Sequence, residues 1–496
     1  MRACMFGLAA ALLASPVAEA VDADVGGYMR VSTRPDFQGG DGKLGYWNLY
    51  GRLLNETPWV ALDSRLNLLE ATPGSGQSWA AIHARVEGGS ILNADANGGA
   101  LSQMRLSQLY LLSGSSTASP WEWQLGTLHH WTGDLGLYDM RPDSLFDRTV
   151  GGAVRYRSDR VNALLAVGDS GYGLDAERYN AVLTAGGRLR VRVTNRLEVG
   201  LGGEGRYEPA SPGNVNAPYL TPDLDMESVL RGEVLENFLA ENPDGELLFP
   251  DPVATDARSW VATGYLGFGD IGPLNWNSTY VRAERLHPEA QTTETYNGTS
   301  TTLYLTELTD ERTMWMLGNE MNLTLWPQAL DAVWGVVLGR HTDGDNAVAP
   351  SDHAREYAST VLRLQAYLRP DVHVLFENSF AVETSTNGNA YRNSVGSIFQ
   401  SQDGIQDDRG LEFGDADTRQ TWQGKAGIVL NPLGPGVYVR PSIRLLYGVQ
   451  VSSQHAAWGS SFIDSQNQYD DFYSDEDLLT DRHIHQVVAL EAEAWF

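Results

Sequence analysis

The chain has 496 residues, carries 63 acidic against 35 basic side chains for a formal net charge of −28, and is 42% hydrophobic, with 52 glycines, 21 tyrosines and 14 tryptophans. So acidic a chain excludes nucleic acid as a partner. Its single cysteine excludes a disulfide framework, and no stretch beyond the first 20 residues approaches the uninterrupted apolar length of a transmembrane helix.

In chain order, the opening MRACMFGLAAALLASPVAEA places Arg2 before an apolar run over 5–14 and ends on the small-x-small exit Ala18-Glu19-Ala20. That is the pattern of a secretory signal peptide cleaved before Val21, so 1–20 are expected to be removed and 21–496 to form the mature domain. Cys4 leaves with the signal, and because Arg2 and Glu19 cancel, the acidic excess survives. An exported chain with neither disulfides nor apolar helices is a soluble β-protein or a membrane barrel whose hydrophobicity is dispersed by alternation.

Several motifs lose their chemistry on inspection. Asn93-Ala94-Asp95-Ala96-Asn97-Gly98 imitates half of a calcium loop, but the twelfth position is Met104 rather than glutamate, so a turn between strands is expected. His129 with His130, and His483 with His485, lack a third ligand at metal spacing and read as wall residues. Gly267-Phe268-Gly269-Asp270-Ile271-Gly272 fits the dinucleotide fingerprint, but Pro273 and a strand-like segment follow instead of a helix, so it reads as a hairpin turn. No GxSxG, HExxH or paired cysteine occurs. The expectation is a non-enzyme with no cofactor and no metal.

Paired strands joined by tight turns recur along the middle of the chain. RLRVRVTNRLEVGLGGE sets Leu189, Val191 and Val193 on one face and Arg188, Arg190 and Arg192 on the other, turns at Thr194-Asn195-Arg196, and resumes with Leu197, Val199 and Leu201 outward. VLRLQAYLRPDVHVLFE repeats the design, with a turn at Arg369-Pro370-Asp371. Further turns fall at Gly269-Asp270-Ile271-Gly272-Pro273, at Pro327-Gln328-Ala329 and over 432–436. The opposite connections, 209–258, 286–303, 341–356, 383–419 and 452–482, are long, polar and acidic. Short turns at one end and long loops at the other are the asymmetry of an outer-membrane barrel, for which a soluble sandwich has no reason.

The C-terminal strands complete this reading. Residues 439–451, VRPSIRLLYGVQV, are expected to form a strand with Arg440, Ser442, Arg444 and Gln450 facing water. In the closing VVALEAEAWF, Phe496, Ala494, Ala492 and Leu490 share the lipid face, whereas Trp495, Glu493 and Glu491 share the lumen face.

The mature start VDADVGGYMRVS, with Gly27, Tyr28 and Arg30, resembles the start of the maltoporin family of trimeric sugar porins. The segment LSQLYLLSGSSTASPWEWQLGTLHHWTGDLGLYDMRPDSLF resembles that family's strands leading into its constriction loop, with Gly126, Asp134 and Asp139 in register, and Trp495-Phe496 stands where the family has its closing aromatics. The resemblance implies an all-β transmembrane antiparallel barrel of about sixteen to eighteen strands, in the outer membrane of a Gram-negative cell, assembled as a homotrimer in lipid. It also implies passive diffusion of oligosaccharides or other small neutral solutes along aromatic rings flanked by polar groups. The residues it carries over as substrate-binding are Tyr28, Arg30, Tyr50, Asp139 and Trp495; Tyr367 lies near a further ring position. Arg141 and Thr132 depart from the family's constriction tyrosine and arginine. The alternatives are a general, cation-leaning diffusion porin with the aromatics as mere wall and, kept alive by the inward arginines, an exporter of acidic polysaccharide.

Overall fold

The computed structural model describes residues 23–35, 44, 48–56, 58–69, 77–89, 104–116, 119–170, 181–209, 215–216, 253–254, 257–286, 292–296, 299–303, 312–343, 355–385, 418–453 and 484–496. The signal segment, the calcium-like 93–98, His483 and most of the long connections lie outside them.

Eighteen antiparallel strands close on themselves into one barrel. In chain order they are Ala23–Thr33, Trp59–Leu69, Trp79–Gly89, Arg105–Gly114, Trp121–Thr127, Val150–Arg157, Val161–Asp169, Leu183–Thr194, Leu197–Glu208, Ala257–Ile271, Leu274–Leu286, Arg312–Trp326, Leu330–Asp343, Arg355–Arg369, Val372–Ser385, Thr418–Leu430, Ser442–Ser452 and Ile484–Trp495. Each pairs with the next, and the last pairs with the first, Tyr28 opposite Trp495 and Arg30 opposite Glu493. Two small two-stranded sheets, Val215–Asn216 with Val253–Ala254 and Thr292–Tyr296 with Thr299–Leu303, sit in two of the long connections.

The expected turns are present. Asn195-Arg196, Gly272-Pro273 and Pro370-Asp371 each join neighbouring strands. At the second of these, Asp270 (φ 57°) and Gly272 (φ 58°) take left-handed backbone, which aspartate and glycine tolerate best. The fingerprint glycines therefore make a hairpin. The predicted strand 439–451 begins later, at Ser442. Val439 to Pro441 belong instead to the connection 431–441, where Val437 is buried and Tyr438 reaches the wall residue Glu320. Val439, Arg440 and Pro441 continue the alternation of the strand that follows, but the connection folds inward at Val437 and they stay outside the ladder.

Side chains alternate as the two-residue period requires. In the last strand Ile484, Val488 and Leu490 are exposed outward, whereas His485, Val487, Ala489, Glu491 and Glu493 are buried inward. Leu189 and Val193 face out, and Arg188 and Arg190 face in. The outer surface is apolar, and its large rings gather near the two rims. Trp260, Trp315 and Trp422 mark the long-loop rim, and Trp121, Trp123 and Trp326 the short-turn rim. A closed ladder leaves no unpaired strand edge, which suits the wall to hydrocarbon.

Candidate functional site

Two connections fold into the lumen and narrow it. The first joins strands one and two. It forms a short 3-10 turn at Asn48–Tyr50, and Gly51 (φ 80°) then reverses the chain. Gly51 lies so close to Glu377 that a β-carbon there would meet a carboxylate oxygen at 2.8 Å. The loop is held chiefly by its backbone: Lys425 Nζ donates to the Tyr50 carbonyl at 2.8 Å and Ser359 Oγ donates to the Leu49 carbonyl, while one side chain adds to them, Asn55 Nδ2 donating to Gln423 at 3.1 Å.

The second inward connection spans 128–149. Its Leu137 amide donates to the wall carboxylate Glu320 at 2.8 Å, the Phe146 amide donates to Glu204, and Arg282 donates to the Ser144 carbonyl at 2.8 Å. The two loops are joined where the Arg52 amide donates to the Leu137 carbonyl at 2.8 Å. Leu49, Tyr50, Leu135, Leu137 and Tyr138 bury an apolar seam between loops and wall, against Tyr280, Val333, Val337 and Val361. Inward-facing Val333, Val337 and Val361 sit beneath these loops, so apolar residues on the lumen face of a strand mark where a loop covers it.

Beneath the loops the wall carries a buried ion triad. Glu377 takes Lys425 Nζ at 2.9 Å on one oxygen and Arg363 at 2.6 Å on the other. A second charge cluster lies at the seam between the first and last strands. Glu493 accepts from Tyr28 Oη at 2.9 Å, from Arg52 at 2.5 Å, and from Arg444, and pairs with Arg440 at 2.6 Å. Arg30 donates to Glu56, which also lies 3.3 Å from Arg52.

The structure brings four of the five predicted residues to this cluster. Tyr28 and Arg30 are buried in it, and Asp139 is coupled to Arg52, Arg30 and Glu56. Trp495 packs on Tyr28 with ring centroids 4.5 Å apart while remaining 63% exposed at the short-turn mouth. Tyr50 is elsewhere: its ring is 1% exposed within the apolar seam and its hydroxyl donates to Glu383 at 2.6 Å. Tyr367 faces in but is tied to Asp331 at 2.5 Å. Arg141 stacks over Trp131, its guanidinium carbon 4.3 Å from the ring centroid, and Thr132 donates to Asp143.

Two loop carboxyls are electrostatically coupled. Burial pushes Glu56 up to about 7, with Arg52 and Arg30 pulling it down and neighbouring Asp139 adding to the rise. Desolvation acts on Asp139 too, but Arg52, the hydrogen bond from Glu56, and Arg30 hold it below the ordinary aspartate value. Above pH 7 Glu56 ionises and the constriction gains a negative charge; below it that charge is lost. Cation preference is therefore expected to fall as pH drops from 8 to 6, and Glu56→Gln to flatten that change, as read by reversal potentials in a salt gradient.

Sequence reading missed Arg52, Glu56, the Glu377 triad and the inward arginine Arg155. Arg155, Arg363, Glu377 and Lys425 had a usable signal, their place on the inward parity of Val150–Arg157, Arg355–Arg369, Val372–Ser385 and Thr418–Leu430, whereas Arg52 and Glu56 lie in a connection, where no such parity runs. Among the described residues no group of three metal-ligating side chains occurs.

No family model matches the chain, and no curated protein matches it either. Among solved structures it is similar to OccK3 of Pseudomonas aeruginosa, with 9% identity, 97% of this chain and 96% of that one covered, and a TM-score of 0.40. It is also similar to a loop-deletion form of OmpT, an outer membrane protein of Vibrio cholerae, with 9% identity, 96% and 100% coverage, and a TM-score of 0.39. A third is Wzi, an Escherichia coli outer membrane protein involved in group 1 capsule assembly and described as a carbohydrate-binding barrel, with 13% identity, 95% and 84% coverage, and a TM-score of 0.38. These are outer-membrane proteins, and the likeness carries no statement of substrate for this chain.

Proposed function

We propose that the barrel is a passive channel of a Gram-negative outer membrane that admits sugars or other small polar solutes. The observation that carries this reading is the pair of loops folded into a closed, externally apolar barrel. Anchored by backbone hydrogen bonds to wall side chains, they form a fixed constriction bordered by paired charges. Such groups exchange hydrogen bonds with hydroxyls in transit without any one of them binding tightly, which conduction requires. Removal of 1–20 before insertion, and assembly as a homotrimer, belong to the same proposal.

At the short-turn mouth the exposed ring of Trp495 beside Tyr28 offers an apolar face for a pyranose. Tyr50 and Tyr28 present little open ring surface, so the sugar contact is assigned to Trp495, with Asp139 and the Arg30 cluster as the polar track. Single-channel conductance in a planar bilayer, titrated with maltodextrins, tests this. Concentration-dependent block that weakens several-fold in Trp495→Ala, with assembly unchanged, is expected. Deleting Phe496, whose backbone bonds Gly27 at 2.8 and 3.1 Å, is expected to impair assembly instead. A large current that no sugar blocks makes the protein a general diffusion pore and reduces Trp495 to lining.

A further inference from the structure

Away from the seam, the wall strands Val150–Arg157, Val161–Asp169 and Leu183–Thr194 turn a cationic face to the lumen. Their registers align two rows. Arg155, Leu164 and Arg188 lie side by side at one level, and Arg157, Asn162 and Arg190 at the next, toward the short-turn end. The loop 128–149 leans over these rows and encloses a cavity of about 100 Å³ lined by Arg155, Arg157, Arg188, His130, Thr132 and Asn162 among others. Its lining includes no carboxylate, in a chain whose acidic side chains outnumber its basic ones 63 to 35.

The guanidinium groups there are short of partners. Arg155 is 7% exposed, donates to Gln124 and lies 2.7 Å from His130 Nε2, yet pairs with no carboxylate among the described residues, and its Nε has no acceptor. Arg188 approaches Asp143 only to 3.7 Å, and its Nη1 has no hydrogen bond. Asp143 is shared with Arg190, 3.5 Å away. Arg157 reaches Glu122 at 3.4 Å. Buried, under-paired charge is costly unless an opposite charge completes it. Burial and then Arg155 hold the His130 imidazole down to about 2, so it adds no cation of its own and accepts or donates as a neutral ring. Forked, planar guanidinium donors match the oxygens of a carboxylate or a tetrahedral oxyanion. At roughly 30 Å³ per water in the liquid, the cavity volume equals about three waters, the scale of one such group.

We propose that this cavity is an oxyanion site, in which Arg155, Arg157 and Arg188 hold the acidic group of a solute passing the constriction, with Asn162 as a neutral hydrogen-bonding neighbour. This deepens the channel reading and rests on it. It assigns the permeant as an acidic sugar whose carboxylate pauses on the arginines.

Binding to the detergent-solubilised protein, measured by calorimetry at low ionic strength with sodium sulfate and with sodium galacturonate, tests the site independently of conduction. Both anions are expected to bind, and Arg155→Gln to weaken both at least tenfold, with Arg157→Gln, at the exposed rim, as the variant least able to disturb folding. Binding of sulfate alone still supports the site and restricts it to small inorganic anions. Absence of binding by the wild type, or equal binding by both variants and wild type, overturns it. Bilayer recordings then separate the two readings. Current without anion binding leaves the channel and removes the site, whereas anion binding without current leaves the site and removes the channel.

Discussion

Replacing Glu377 by alanine is expected to destabilise the barrel by about 3–5 kcal/mol, the range found when one partner of a buried ion pair is removed. Glu377 and Lys425 are fully buried, and Arg363 nearly so. Both cations share this one carboxylate, so its loss strands two charges where water does not reach. The effect does not stop at the wall. Lys425 holds the Tyr50 carbonyl and Glu377 itself lies against Gly51, so the inward turn Asn48–Tyr50 loses its anchor. Two readouts follow: a lower thermal midpoint of the detergent-solubilised protein, and larger, noisier single-channel currents as the loop leaves the lumen. A second change discriminates the cause. Lys425→Met and Arg363→Met added to Glu377→Gln remove both cations together with the carboxylate they share and are expected to recover most of the lost stability, because the neutral set leaves no uncompensated buried ion.

Glu493→Ala is expected to have a comparable structural cost and a larger functional one. A single carboxylate there takes Arg52, Arg440 and Arg444 as well as the Tyr28 hydroxyl. Without it three guanidinium groups repel one another at the seam between first and last strands. Tyr28 loses the acceptor that sets its ring against Trp495, so sugar block is expected to weaken even though Trp495 is intact. The lumen gains net positive charge, so reversal potentials are expected to shift toward anions. Unchanged selectivity with lost block would assign Glu493 to ring positioning alone, and unchanged block with shifted selectivity would remove Trp495 from the sugar path.

The wall was legible because barrel strands repeat a local rule. Alternation over RLRVRVTNRLEVGL or VVALEAEAWF decides facing residue by residue, so Arg188, Arg190, Glu493 and Trp495 could be placed without knowing any neighbour. The lumen was not legible in the same way. Loop anchors are backbone groups, the carbonyls of Leu49 and Tyr50 and the amide of Leu137, which any sequence carries. Their wall partners Ser359, Lys425 and Glu320 lie hundreds of residues away, and nothing local links them. Tyr50 illustrates the difficulty. Its alignment with a lumen ring placed it in the sugar path, but the surrounding Leu49, Leu53 and Leu54 fold that stretch into a buried turn. The start of the expected strand 439–451 failed for the same reason, since Val439 and Pro441 alternate like strand residues but belong to a connection that folds inward.

Of the pairings that make the barrel, all but one join barrel strands consecutive in the chain. The exception brings Tyr28 against Glu493 across 465 residues. Closing so long a chain in one step would cost about 5 kcal/mol of loop entropy. Hairpin-by-hairpin growth avoids most of that cost, because by the time the last strand exists a nearly complete curved sheet already holds the two edges close. Assembly therefore has a built-in order: local zippering first, ring closure last, with the final strand as the rate-setting piece. Until Ile484–Trp495 docks on Ala23–Thr33, two open edges remain available to other chains, and the charge cluster around Glu493 acts as a lock that engages only when the correct edge arrives.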